Sequence, residues 1–319
     1  MHYYNSMPDM KKTISVVAAC FNEQDNVDEL YRRVVAVFER LDRYEFEFIL
    51  IDNASVDATA ERLKALAQQD ARVKVILNSR NFGHIRSSFH ALLQARGDAV
   101  IAMASDLQDP PEMIETFLAG WEQGYRKVVA VKPESREKSV LTGLRRMFYR
   151  SLNRISEMPL IENFTGFGLY DRVIMDHIRA MQDPYPYFRG MITEVGYDTL
   201  MVQFEQPRRA RGVTSSNFLI LYDIAMLGIT NHSRLPLRVA TIAGFVLSAL
   251  TMLVALGYFL YKLLRWDDFA VGQAPMVIGL FLFFSVQLFF IGLLGEYVLA
   301  IHRQVMNRPL VVEKERINF

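Results

Sequence analysis

A single cysteine, Cys20, in 319 residues excludes an internal disulfide framework and a multi-cysteine zinc site. At the end of an apolar run it reads as a buried free thiol. There is no charge excess either: 36 Lys+Arg stand against 35 Asp+Glu, so nucleic-acid binding has no electrostatic support and no such partner is expected. Met1 to Lys12 carries no apolar stretch, and no secretory signal is expected. No Gly-x-Gly-x-x-Gly follows the first apolar run, which argues against a dinucleotide-binding oxidoreductase, and there is no Gly-Lys-Ser/Thr phosphate loop. His84, His90, His177, His232 and His302 show no metal-ligand spacing.

Charge itself is missing in two places. Val239 to Tyr261 and Ala274 to Gly295 contain no charged residue, and each exceeds the roughly 20 residues that cross a bilayer as a helix. Two spans are expected, at about 239–261 and 274–300. Their short connection carries Lys262, Arg265, Asp267 and Asp268, whereas Arg234, Arg238, His302, Arg303, Arg308, Lys314 and Arg316 flank the outer ends. The positive-inside bias then puts both termini and the N-terminal region in the cytosol. Asn217 to Asn231, with one charge at Asp223, reads as an interfacial helix. Glu296 reads as an interfacial residue bonded to a neighbouring helix. The expected organisation is a cytosolic domain at 1–212, a juxtamembrane segment at 213–234, the two spans within 235–303 and a cytosolic tail at 304–319. Paired membrane helices commonly associate, so a homo-oligomer is one expectation.

The N-terminal region alternates. Apolar, β-branched runs at 13–19, 46–51, 73–77, 99–104 and 127–131 read as strands; helical patterns fall at 25–41, 58–69, 85–95 and 112–120. Alternation of this kind implies an α/β domain: a Rossmann-like, mainly parallel sheet with helices on both faces. Ligands of such sheets gather beyond the carboxyl ends of the strands. Three ends are rich in carboxylates and amides: Phe21-Asn22-Glu23, Asp52-Asn53-Ala54-Ser55-Val56-Asp57 and Ser105-Asp106-Leu107-Gln108-Asp109. Carboxylates can accept from a base or ribose, or hold a divalent cation that neutralises a diphosphate. Asp52 and Asp106 end apolar strands, where a carboxylate is costly unless solvated or liganded. Asp109-Pro110-Pro111-Glu112 also fits a helix start, with Asp109 as N-cap and Glu112 closing a capping box.

In this order the segments resemble glycosyltransferase family 2, of GT-A type, and most closely the bacterial polyprenyl-phosphate glycosyltransferases related to dolichyl-phosphate mannose synthase. Val16 to Glu23 looks like the family's opening strand and turn, Asp52-Asn53-Ala54-Ser55 stands for Asp-Asp-Gly-Ser, and Ser79 to His84 and Asp106 to Glu112 match family segments. Gly292 to Tyr297 and Arg308-Pro309-Leu310 resemble the two-helix members. The resemblance implies nucleotide contacts from Ala19, Phe21, Glu23, Asp52, Asn81 and Ser105. It implies Mg²⁺ or Mn²⁺ on Asp106 and Gln108, with Asp106 and Asp109 as catalytic candidates. Departures accompany it. Ala104 replaces the first Asp of the Asp-x-Asp metal motif; Thr165-Gly166-Phe167-Gly168 replaces Gly-Asp-Phe-Arg; Ser215 replaces Lys after Arg209-Ala210-Arg211-Gly212-Val213-Thr214.

The implied reaction is inverting transfer of a sugar, from a UDP-sugar, to undecaprenyl phosphate at the cytosolic face of a bacterial inner membrane. The product would serve cell-envelope glycan modification, with a flippase and a downstream transferase as partners. The acceptor needs cationic positioning more than a base. Arg146, Arg150 and Arg154, at i, i+4 and i+8, would form one stripe beside anionic lipid or a solvated helix face. Arg209, Arg211 and Thr214 are further acceptor or phosphate candidates, and Glu194 is the candidate for a carboxylate near the sugar. Two other readings are a non-catalytic membrane scaffold with the same fold and a processive polysaccharide synthase. The second would need more spans and a Gln-x-x-Arg-Trp element.

Overall fold

The computed structural model describes residues 11–133, 161, 164–184, 186–207, 273–306 and 308–319, and isolated positions between 242 and 264. By its contacts the chain divides into two units. One holds Met1–Arg150, Met158–Asn217 and Asn307–Phe319; the other holds Ser151–Glu157 and Phe218–Met306.

The first unit opens with strands and helices where the hydrophobic periodicity puts them: β1 Lys12–Cys20, α1 Val27–Phe38, β2 Tyr44–Asp52, α2 Thr59–Gln69, β3 Val73–Asn78, α3 His84–Gln94, β4 Ala99–Ala104, α4 Met113–Glu122 and β5 Lys127–Val131. Strands β1 to β5 are buried along most of their length because helices cover both faces, which is why they read as continuous apolar runs rather than alternating ones. On α1 the buried residues Val27, Leu30, Val34, Val37 and Phe38 recur at helical spacing and face the sheet.

After β5 the chain adds β6 Phe164–Asp171, α5 Arg172–Met181, α6 Phe188–Glu194 and β7 Thr199–Gln203. A last strand, β8 Glu313–Ile317, comes from the C-terminus. The eight strands lie in the order β7-β5-β6-β4-β1-β2-β3-β8. Pairs β1–β2, β2–β3, β1–β4 and β5–β7 are parallel; β6 runs antiparallel between β4 and β5, and β8 antiparallel on β3. The sheet is therefore mixed and mainly parallel, with its direction of winding reversing between β1 and β4.

Residues 304–319, expected as a tail, thus contain an edge strand of this sheet. Arg316 and Glu313 pair with each other, Glu313 Oε1 meets His90 Nε2 at 2.6 Å, and Asn318 Nδ2 donates to the carbonyls of Ala67 and Val73. Its charged residues cover an otherwise open edge of β3.

Gly168 sits where β6 presses on β5. A Cβ there would lie 2.5 Å from the Val128 carbonyl oxygen and 2.9 Å from Val129 Cα. Gly166 has φ +104°, in the left-handed region. Both departures from Gly-Asp-Phe-Arg therefore have a backbone reason: neither position accepts a side chain without strain.

In the second unit, α7 runs Gln273–Val305, 33 residues. Its backbone covers the second expected span. Among the described residues, no helix is long and apolar enough to cross a membrane. Large apolar side chains of α7 are exposed, including Met276, Phe283, Leu288, Phe289 and Val305. The first expected span and the interfacial helix at 217–231 lie outside the described residues, apart from isolated positions in the span.

Candidate active site at the carboxyl edge of the sheet

The reversal of winding between β1 and β4 opens a crevice at their carboxyl ends, and the loops after β1, β2 and β4 meet there. Each contains one non-glycine residue in the left-handed region: Asn22 at φ 57°, Ala54 at φ 60° and Leu107 at φ 61°. Such conformations cost about 1–2 kcal/mol and persist only where surrounding contacts impose them.

Those contacts tie loop to loop. Asn22 N–H donates to Ser55 Oγ at 2.9 Å, Val56 N–H to Asn22 Oδ1 at 2.9 Å and Glu23 N–H to Thr59 Oγ1 at 2.9 Å. Ser105 Oγ donates to the Ala19 carbonyl at 2.8 Å, tying the carboxyl ends of β1 and β4 together. Ala19, Phe21, Glu23, Asp52, Ser105, Asp106, Gln108 and Asp109 are thereby brought to one edge. Phe21 is exposed there and Cys20 is buried beneath it, its thiol pKa pushed well up by burial.

Asp52 is 3% exposed. Its Oδ1 accepts from Ser55 Oγ and its Oδ2 from Ser55 N–H at 3.1 Å. Burial raises its pKa against the opposing pull of those two bonds. A carboxylate can accept about four hydrogen bonds, so capacity remains for a ligand hydroxyl or base N–H. Asn53, beside it, knits the next loop: its Oδ1 accepts from Asn78 Nδ2 at 3.1 Å and Phe82 N–H at 2.9 Å, and its Nδ2 donates to Asn81 Oδ1 at 2.9 Å. Asn81 Oδ1 also accepts from Gly83 N–H at 2.8 Å. The Asn81 carboxamide thus shapes the Ser79–Gly83 loop, a role that a motif match does not reveal.

Asp106 Oδ1 accepts from Gln108 N–H at 3.2 Å, and Gln108 Nε2 reaches the Pro207 carbonyl at 3.4 Å. Asp109 does not cap α4. That helix begins at Met113, and no side chain caps it. The Pro110-Pro111 turn supplies carbonyls to Met113 and Ile114 N–H, while Glu112 turns away to Arg33, Nε to Oε1 at 2.9 Å. The capping box is thus replaced by a proline turn, which frees Asp109. Its side chain, 5% exposed, folds back to accept from Ala104 N–H at 2.8 Å. Burial pushes its pKa up to about 6, Ala104 N–H and Lys132 lower it, and Asp106 raises it. A carboxyl group therefore lies against Ala104, the position lacking the expected metal-motif carboxylate.

Glu194 is not brought to this edge. It is exposed at the far end of α6, two residues past Ile192, whose carbonyl accepts from Lys127 Nζ at the amino end of β5. The opposite end of α6 reaches the carboxyl edge: Arg189 Nη1 donates to the Phe164 carbonyl at 3.2 Å, and Phe164 opens β6 opposite Val131. Arg189 also faces His84, the first residue of α3; desolvation and the Arg189 charge both lower the His84 pKa. Nothing in the local sequence of Arg189 signals this, because α6 reaches the site only through the antiparallel return of β6. Arg146, Arg150, Arg209, Arg211 and Thr214 lie outside the described residues. Among the described residues, no group of three or more His, Cys, Asp or Glu could by itself hold a metal ion.

Beside Leu107 an open cleft of about 440 Å³ runs along α1, lined by Gln24, Asp25, Asn26 and Asp28 among others. Its two arginines are already paired, Arg32 with Glu29 and Arg62 with Asp28.

Comparison with known proteins returns a family model described as glycosyl transferase family 2, matching residues 15–181. The bactoprenol glucosyl transferase derived from prophage SfII in Shigella flexneri is 32% identical over 303 residues, 95% of this chain and 97% of that one. An uncharacterised glycosyltransferase of Synechocystis sp. is 31% identical over 298 residues, 93% of each chain. Among solved structures, mannosyl-3-phosphoglycerate synthase from Rubrobacter xylanophilus is 18% identical with a TM-score of 0.46, covering 69% of this chain and 72% of that one. A mannosyltransferase from Pyrobaculum calidifontis, in complex with GDP-Man and Mn²⁺, is 15% identical with a TM-score of 0.44, over 82% and 89%.

Proposed function

The chain belongs to glycosyl transferase family 2, and from that premise we propose that it moves a sugar from a nucleoside diphosphate, UDP in the first instance, to a polyprenyl phosphate such as undecaprenyl phosphate. The observation that carries this reading is the end-to-end match to bactoprenol glucosyl transferases, 95% of this chain against 97% of theirs. It extends through the apolar C-terminal region as well as the nucleotide-sugar domain, which is read as GT-A. The exposed apolar surface of α7 supports a helix that spans the bilayer, with the uncharged stretch 239–261 as its companion.

In the reaction a lipid phosphate oxygen attacks the anomeric carbon. The new C–O bond forms as the bond from that carbon to the diphosphate oxygen breaks, with inversion, and the nucleoside diphosphate leaves. A phosphate monoester has a second pKa of about 6 and is already dianionic near neutral pH, so no base need remove a proton. The absence of the Gly-Asp-Phe carboxylate is tolerable for that reason. Asp52 and the loops that Ser55 and Asn53 hold in place are read as the nucleoside contact, with Ala19, Phe21, Glu23, Asn81 and Ser105 around it.

A divalent cation fits on the condition that the donor completes its shell. Asp106 stands at the carboxyl end of β4, its Oδ1 accepting from Gln108 N–H, and Mg²⁺ commonly binds one or two carboxylates together with substrate phosphates. Bound there, Mg²⁺ or Mn²⁺ would neutralise the diphosphate as it departs. Asp109, ionised above about pH 6, adds the second negative charge that Ala104 lacks. Glu194 has no part in this reading. Arg146, Arg150, Arg209, Arg211 and Thr214 remain proposed contacts to the acceptor or the phosphates. The product, a polyprenyl-phosphate sugar at the cytosolic face, requires a flippase and a second transferase to be used outside.

The test is mass spectrometry of lipid extracts after full-length protein is incubated with undecaprenyl phosphate, Mg²⁺ and a panel of nucleotide sugars. A lipid heavier by one sugar residue, with one nucleoside diphosphate released per sugar, is expected. Donor hydrolysis without a lipid product would refute the acceptor.

A further inference from the structure

The crevice is rich in carboxylates, yet both substrates of the proposed reaction bring phosphate. The cleft along α1 offers no spare cation, because Arg32 and Arg62 are paired within it. On the α3 face the situation is reversed. Arg189 is half-buried, and among the described residues it has no carboxylate partner. One guanidinium N–H is fixed by the Phe164 carbonyl, and the group lies 5.5 Å from the Tyr187 ring centroid. Among the described residues, four of the five guanidinium N–H groups are left for a ligand. Phe164 lies at the same edge as the β4 loop, since β6 pairs Gly168 with Ala102 and continues past it toward Phe164. Opposite stands His84, at the mouth of the Asn53–Asn81 loop, its pKa depressed by burial and, less, by the same charge.

A half-buried guanidinium with no counter-ion among the described residues is costly unless it meets an anion during function. Resting on the functional reading above, we propose that Arg189 is a phosphate-binding residue of the site, its guanidinium holding a phosphate ester of the donor or the acceptor beside His84. Its planar fork suits two phosphate oxygens at once. The Phe164 carbonyl sets its direction before the ligand arrives.

Binding, rather than turnover, tests this, so that a chain inactive as a transferase still answers it. Full-length wild type, Arg189→Ala and Arg189→Lys are titrated by calorimetry with UDP plus Mg²⁺, and with undecaprenyl phosphate in nanodiscs. In Arg189→Ala one of the two affinities should fall on the order of tenfold to a hundredfold. Arg189→Lys should recover part of the loss, and the melting midpoint should stay within a few degrees. A loss confined to UDP assigns the residue to the donor; a loss confined to the lipid assigns it to the acceptor. Unchanged affinities in both arms would overturn the proposal. So would an equal loss in both variants accompanied by a lowered midpoint, which marks a structural role through the Phe164 carbonyl. Wild type that binds both ligands without transfer would instead count against the functional reading.

Discussion

Replacing Asp109 by Asn should make the protein more stable at pH 7.5 and a poorer transferase. Asparagine keeps an oxygen to accept from Ala104 N–H, so the 2.8 Å bond can survive. What changes is the charge. The folded-state pKa of Asp109 is about 6, against an ordinary value of 3.8. A raised carboxyl pKa means that the folded state holds the proton more tightly than the unfolded one. The associated stability is complete below pH 3.8 and is lost as pH rises through 6. At about 1.4 kcal/mol per pH unit, the ionised carboxylate destabilises the fold by about 3 kcal/mol at neutral pH. The attraction of Lys132 is already included, and loop relaxation would lower the figure. For a domain of this size, 2–3 kcal/mol corresponds to roughly 5–10 °C in melting midpoint. Midpoints of wild type and Asp109→Asn should therefore nearly coincide at pH 4 and diverge by that amount at pH 7.5. Transfer by the variant should fall by roughly ten- to a hundredfold as the cation site loses charge. The lipid phosphate also ionises near pH 6, so the informative quantity is the wild-type-to-variant rate ratio, which should grow between pH 5 and 7. A midpoint difference independent of pH, or a variant less stable at pH 7.5, would show that Asp109 is not a strained buried carboxylate.

Other expectations follow from the same geometry. Asp106→Ala should abolish transfer with a change in unfolding free energy within about 0.5 kcal/mol, because the side chain is only half-buried; full turnover would remove it from the cation site. Gly168→Ala should destabilise by roughly 1–3 kcal/mol or more, since its Cβ would meet β5 backbone at 2.5 Å; denaturant titration reads this. Ala54→Gly should stabilise by up to about 1 kcal/mol, relieving the left-handed strain at φ 60°. A midpoint lower than wild type for Ala54→Gly would mean that the three-loop network does not impose that conformation.

Much of the fold was legible because β1 to β5 are buried on both faces, where an apolar run has one meaning, and α1 carries its stripe at helical spacing. Strand β8 was not, since Glu-Lys-Glu-Arg-Ile has no apolar alternation and becomes a strand only by pairing with β3. At the site, strand ends and turn residues pointed to Asp52 and Asp106. The N-cap reading of Asp109 fails because Asp-Pro-Pro-Glu satisfies a capping pattern locally, while its carboxylate instead accepts from Ala104 N–H five residues earlier in the chain. Glu194 and Arg189 lie on one short helix, and only the placement of that helix decides which end meets the crevice. Asn53 joins the Asn78 and Asn81 loops through contacts 25 and 28 residues apart, beyond the reach of any local pattern.

Sugar transfer to a lipid phosphate is tested most directly by radiolabel partition. Full-length protein with Mg²⁺, undecaprenyl phosphate and labelled UDP-sugars should move label into the organic phase only when the lipid is present, and Asp106→Ala should move none. Label that stays aqueous across a panel of donors, while UDP still binds the wild type, would contradict the account.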